Sequence, residues 1–256
     1  MKIILSPAKR LSIQEFSVSG KLISKPVFVE KSQILIDILK QKTVNEIQDL
    51  MNLSNDLALL NSNRYLNWKK NHSLENSIPA IKLFYGDAYR GLDAKTLSSE
   101  SLLNLNDKLL ILSGLYGILR PFDLIQEHRL EMGTKLENPY GNNLYKFWQD
   151  TVTGFINNVF ENDNNKILIN LASNEYFKVI NKKQLKADIV TPVFKENKDG
   201  KYKTIAIHAK RARGLMTRFI VENNIEDIEH LKAFDYENYY FSKEMSSTKE
   251  YVFIRG

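Results

Sequence analysis

Three short apolar runs, each closing on small or polar residues, set the tightest limit on what this chain can fold into. They are KIILSP at 2–7, KLLILSG at 108–114 and KILINLAS at 166–173. Continuous runs of this length, bounded by turn residues, read as buried strands rather than helices. Each would end at a loop on the carboxyl side of its strand, marked by Ser6-Pro7, Ser113-Gly114 and Ala172-Ser173.

Stretches with helical spacing separate the runs. Apolar residues from Ile34 to Met51 predict helix, and 43–68 predicts two short helices broken at MNLSND, with Ser54 capping the second and Asp56 in its first turn. Residues 78–92 read as a strand or helix end punctuated by Gly86 and Gly91, and 142–158 as an amphipathic helix. ADIVTPVF (187–194) and KYKTIAIHA (201–209) predict two strands joined at KDG, followed by a basic helix from Lys210 and a last strand, EYVFIR. There is no fixed-period repeat and no Pro-, Gly- or Ser-rich linker. The expectation is one domain over 1–256, α/β or α+β, with a mixed sheet flanked by helices.

Composition enters as exclusion. The chain has no cysteine, which removes disulfides, iron–sulfur clusters, zinc–thiolate sites and thiol peroxidase chemistry. Four histidines with few neighbouring acids do not predict a divalent metal site, and no cofactor is expected. Mean hydropathy is −0.34 and no apolar run approaches a membrane span. The opening run is cut by Lys9 and Arg10, unlike a signal peptide, so a cytoplasmic location without membrane attachment is expected. GxGxxG, P-loop, GxSxG and HExxH motifs are all missing.

The net charge of +6 is modest, but its distribution is not even. Residues 195–218 hold eight Lys or Arg against two acids, the footprint of a polyanion partner. Lys210, Arg211 and Arg213, placed at a helix start, would oppose the helix dipole unless an anion such as phosphate compensates. In sheets flanked by helices, ligands bind beyond the carboxyl ends of strands. That edge would gather Lys9, Arg120, Asn170, Ser173 and Tyr176. Arg129 and Glu131 of RLEMG fit a phosphate contact with an orienting or acid/base carboxylate, and equally a structural ion pair. The helix pair at 43–68 loosely resembles a helix-hairpin-helix module, with Asn52-Leu53-Ser54 in place of its Gly-hydrophobic-Gly turn. Arg64, Trp68, Lys69 and Lys70 would supply its phosphate and stacking contacts.

Four strings in fixed order, LSPAK (5–9), LSGLYGILRPFDLIQEHRLEMG (112–133), INLASNEYFK (169–178) and AKRARGLMTRFIVEN (209–223), look like those of the YaaA family across nearly the whole chain. The resemblance implies a role in surviving hydrogen peroxide by limiting free iron and the DNA damage it drives. It also implies a single unusual α/β fold with a basic cleft and a helix-hairpin-helix-like element, and binding to double-stranded or distorted DNA. No established reaction comes with it.

Two functions follow as expectations. In the first, the protein binds DNA through phosphate contacts from Lys9, Arg64, Arg120, Arg129, Asn170, Ser173, Lys210, Arg211 and Arg213. In the second, it is an enzyme acting on a nucleotide or damaged nucleobase, with Lys9, Glu131 and Tyr176 as candidate catalytic groups. Direct iron sequestration is disfavoured, since cysteine is absent and no paired-carboxylate helix motif occurs.

Overall fold

The computed structural model describes residues 1–163 and 165–256. In chain order its elements are β1 (Lys2–Leu5), α1 (Val29–Lys40), α2 (Val44–Met51), α3 (Asn55–Asn67), β2 (Ile78–Pro79), α4 (Ala80–Leu83), α5 (Asp87–Leu92), α6 (Ser99–Lys108), β3 (Leu109–Ser113), β4 (Gly117–Leu119) and β5 (Leu124–Ile125). They continue as α7 (Leu144–Val159), β6 (Ile167–Leu171), α8 (Asn174–Phe177), β7 (Asp188–Lys198), β8 (Lys201–Lys203), α9 (Ala206–Glu222), β9 (Tyr240–Phe241) and β10 (Glu250–Arg255).

The three apolar runs form the middle of a mostly parallel sheet with strand order β4-β3-β1-β6-β7-β10-β9, β8 pairing with β7. β1 pairs parallel with both β3 and β6, Leu5 lying opposite Ile111 on one side and Leu171 on the other. Every residue of β3, and all but the first of β1 and of β6, is buried, as strands covered on both faces must be. β6 to β7 and β7 to β10 continue parallel, while β4 and β9 close the edges antiparallel.

The chain leaves β1 for β3 on one side and later returns for β6 on the other. The parallel core is thus a doubly wound sheet of 2-1-3-4-5 order, and loops diverge at the carboxyl end of β1. That divergence opens a crevice where such sheets bind ligands. On the flanks, α6 and α9 pack together and against β1 and β7, while α7 packs against β4. One core cluster runs from Met1 to Phe253. Among the described residues no helix is long and apolar enough to cross a membrane.

The chain departs from the sequence expectation at 204–209. The strand ends at Lys203, and Ala206 already opens α9. IAIHA alternates like a strand, but its alanines are strong helix formers and Ala209 and Ala212 are buried on the inner face of α9. Lys210, Arg211 and Arg213 therefore lie beyond the first turn, where the helix-dipole argument for an anion no longer applies.

Candidate functional site

The crevice at the end of β1 is a cavity of about 270 Å³. Its walls are the loop Ser6–Arg10 after β1, Ser173, Glu175 and Tyr176 after β6, Tyr85–Tyr89 around the start of α5, and Lys210 and Arg213 of α9. The floor is tied by hydrogen bonds across the switch point. The Ser173 amide donates to Ser6 Oγ at 2.8 Å, Ser6 Oγ lies 3.3 Å from Ser173 Oγ, and the Tyr89 hydroxyl donates to the Ser6 carbonyl at 3.1 Å. α5 and α9 can both reach the cavity because they cross at glycine. A Cβ on Gly214 would lie 1.8 Å from the Ala88 carbonyl oxygen, and one on Gly91 2.3 Å from that of Arg211.

Charge is unevenly compensated here. Arg213 is half-buried, its guanidinium has no carboxylate or hydrogen-bond partner among the described residues, and it is held below its ordinary pKa by desolvation. Lys210 beside it is exposed and likewise has no acidic partner among the described residues. On the opposite wall Lys9 Nζ lies 3.1 Å from Glu131 Oε1, and that same oxygen accepts from Arg129 at 3.0 and 3.1 Å. Tyr176 is buried, and its phenol is pushed up by desolvation first and then by Glu175 and Glu131.

Beside Lys9 and Tyr176 lies a smaller chamber of about 20 Å³, sharing Pro7, Ala8, Lys9 and Tyr176 with the cavity and lined further by Ser113, His128, Arg129 and Glu131. The loop 129–133 reaches it because Gly114 lets the chain pass: a Cβ there would sit 2.2 Å from the Leu130 carbonyl oxygen. The Tyr65 hydroxyl donates to the Arg129 carbonyl and anchors the same loop. His128 Nδ1 lies 2.8 Å from the Gln126 carbonyl, so its proton is on Nδ1, and burial pushes its pKa down to about 4. Packed against it, the Tyr116 hydroxyl accepts from Trp68 Nε1 at 3.0 Å and the Gln126 amide at 3.2 Å, and donates to His72 Nε2 at 3.0 Å.

A family model described as "Peroxide stress protein YaaA" matches residues 1–245. The chain belongs to this family. Similar curated proteins are UPF0246 proteins of Ralstonia nicotianae, 49% identical over all of this chain and 99% of the relative, and of Shewanella sp. strain ANA-3, 47% identical with the same coverage. A third, from Alteromonas mediterranea, is 46% identical over all of this chain and 98% of its own length. Residues that carried the resemblance to the YaaA family line the site: LSPAK supplies the loop after β1, RLEMG part of the chamber, LASNEY the opposite wall and AKRAR Lys210 and Arg213.

The residues singled out in the sequence divide sharply. Lys9, Ser173, Tyr176, Lys210 and Arg213 line the cavity, and Lys9, Arg129, Glu131 and Tyr176 the chamber. Asn170 instead is buried in the sheet, its Oδ1 taking the Ala172 amide at 3.1 Å and its Nδ2 donating to Thr191 at 3.3 Å. Arg120 is carried off the edge because β4 runs antiparallel back from it, Leu119 lying opposite Ile111. Arg211 is engaged by Glu237 at 2.6 Å and Arg64 by Glu127 at 2.8 Å.

The helix pair α2–α3 forms as expected, with Asn52 left-handed (φ 50°) at the turn and Ser54 Oγ accepting from Leu57 N at 3.4 Å. Trp68 offers no stacking face, since it is buried and its Nε1 is spent on Tyr116. Lys70 pairs with Glu30 at 2.5 Å, and α3 turns Leu59, Leu60 and Leu66 outward. The wall that sequence reasoning missed is Tyr85-Gly86-Asp87-Ala88-Tyr89. Its one local signal was Gly86, whose Cβ would meet Ala8 at 3.3 Å.

Proposed function

We propose that this protein acts in peroxide resistance by binding DNA, and that the carboxyl-edge cavity receives one phosphate-bearing nucleotide unit of a distorted strand. The Arg213 guanidinium, without a partner among the described residues, carries this reading. A partly desolvated guanidinium without a counter-ion is unfavourable until an anion arrives, and phosphate suits its planar donors. Lys210 adds charge from the same helix face, and Ser6 and Ser173 add hydroxyls at the switch point. The proposed contact set is then Lys9, Ser173, Lys210 and Arg213. Covering DNA in this way would limit the damage that iron and peroxide inflict on it.

The test is fluorescence anisotropy with duplex, bubbled and single-stranded DNA over a salt series. Binding is expected to favour distorted DNA and to weaken as salt rises, with a shallow slope because few phosphates are engaged. Lys210→Ala and Arg213→Ala should each weaken it by about tenfold, and deoxynucleoside 5′-monophosphates should compete. No binding at low salt, or binding indifferent to both substitutions, would contradict the proposal. A second reading, an enzyme acting on the bound nucleotide, is favoured by the side chamber, whose acid and base groups a purely electrostatic contact would not use.

A further inference from the structure

The chamber beside Lys9 and Tyr176 has the size and the chemistry of a site for one water molecule. About 20 Å³ is room for a single water, and a buried water needs two to four polar partners. Glu131 directs Oε1 to Lys9 and Arg129, while Oε2 has no partner among the described residues. His128 keeps its proton on Nδ1 for the Gln126 carbonyl, which leaves the Nε2 lone pair without a partner among the described residues, on a side chain that lines the chamber. Ser113 Oγ accepts from the Tyr116 amide at 3.1 Å, so its own proton is available to donate.

Two side chains of the chamber lining thus carry acceptors without a partner among the described residues, Glu131 Oε2 and His128 Nε2. A water donating one proton to each would be left with its lone pairs free. The chamber adjoins the large cavity at Lys9 and Tyr176, whereas Lys210 and Arg213 line only the large cavity. A nucleotide with its phosphate on those two cations would present its base end to the water.

We propose that this chamber holds the nucleophilic water for hydrolysis of a carbon–nitrogen bond at the base end of the bound nucleotide, an inference that rests on the proposed nucleotide reading of the cleft. The water oxygen bonds to the electrophilic carbon and its proton passes to Glu131. The carbon–nitrogen bond breaks with its electron pair going to nitrogen, and the Lys9 ammonium, held beside Glu131, protonates the departing nitrogen. Glu131 and Lys9 are the catalytic residues; His128 is a positioning residue that fixes the water's orientation. Two bonds fit this chemistry. Cleavage at the sugar carbon frees the base, and cleavage at a ring carbon bearing an amino group frees ammonia.

The experiment incubates the protein with a duplex carrying one oxidised purine, and separately with deoxynucleoside 5′-monophosphates, in ¹⁸O-labelled water, while anisotropy and competition report binding. The expected result is one ¹⁸O in the product, in the sugar if free base appears and in the base if ammonia does. Glu131→Gln should lower turnover by about 100-fold or more while binding is kept. His128→Gln should lower kcat with KM and melting temperature little changed, a split that a purely structural role would not produce. Probes that bind but never take up label would overturn the inference and leave the cleft reading standing. Unimpaired turnover in Glu131→Gln would also overturn it. Probes that fail to bind would sink the cleft reading, and this inference with it.

Discussion

Tyr116 is buried and Arg213 half-buried, and the structure treats their polar groups in opposite ways. The Tyr116 hydroxyl is saturated: two N–H donors point at it and its own proton goes to a histidine whose Nδ1 faces the Lys70 carbonyl at 2.9 Å. Tyr116→Phe would leave Trp68 Nε1 and His72 Nε2 buried and unpaired, and the part-buried Gln126 amide without its acceptor. A loss of about 3 kcal/mol is expected in denaturant unfolding, since each orphaned group costs about 1–3 kcal/mol and partial relaxation recovers some of that. A loss below about 0.5 kcal/mol would show that the network is not closed as described. The Arg213 guanidinium, by contrast, has no carboxylate or hydrogen-bond partner among the described residues. Neither state was legible in the sequence. LSGLYG and AKRAR stand out in the sequence, but the partners that neutralise Arg64 and Arg211 are Glu127 and Glu237, 63 and 26 residues away, and no local pattern links them.

At the scale of elements, what could be read was whatever local sequence controls. The runs at β1, β3 and β6 were legible because strands buried on both faces need unbroken apolar side chains. The α2–α3 break was legible from Ser54, and α7 from its apolar stripe. The start of α9 was not, because an alternating IAIHA satisfies a strand pattern as well as a helix, and tertiary burial of Ala209 decides between them. The crossing of α5 over α9 was equally hidden, although it places Lys210 and Arg213 against the Tyr85–Tyr89 wall. Its glycines can be tested by contrast. Gly214→Ala drives a methyl into the backbone at Ala88 and Leu92 and should cost about 3 kcal/mol. Gly154→Ala, in the interior of α7 with nothing within 4 Å of the added Cβ, should stabilise by about 0.5–1 kcal/mol. Equal effects in thermal unfolding would contradict the close crossing.

For the whole molecule, two buried groups titrate in opposing senses. Burial lowers His128 to about 4, so between about pH 6.5 and 4 the unfolded chain takes up its proton first and acidification destabilises the fold. Burial raises Asp123 to about 6, despite hydrogen bonds from Ser24 and the Arg120 amide; between about pH 6 and 3.8 the folded chain takes up that proton first, and acidification stabilises. The two oppose each other across about pH 4–6. Asp123→Asn removes the stabilising arm, so its stability should fall with acid more steeply than the parent's, by up to about 1.4 kcal/mol per pH unit. Parallel curves would mean Asp123 keeps an ordinary carboxyl pKa in the fold. The central claim remains that the switch-point cavity, rather than basic surface in general, takes the phosphate. The most direct measurement compares Arg213→Ala with Arg211→Ala in binding to one bubbled DNA, since the two arginines lie two positions apart on α9, one facing the cavity and one paired with Glu237. A loss of about tenfold for Arg213→Ala and less than about twofold for Arg211→Ala is predicted; equal losses would contradict the cavity and leave only diffuse charge.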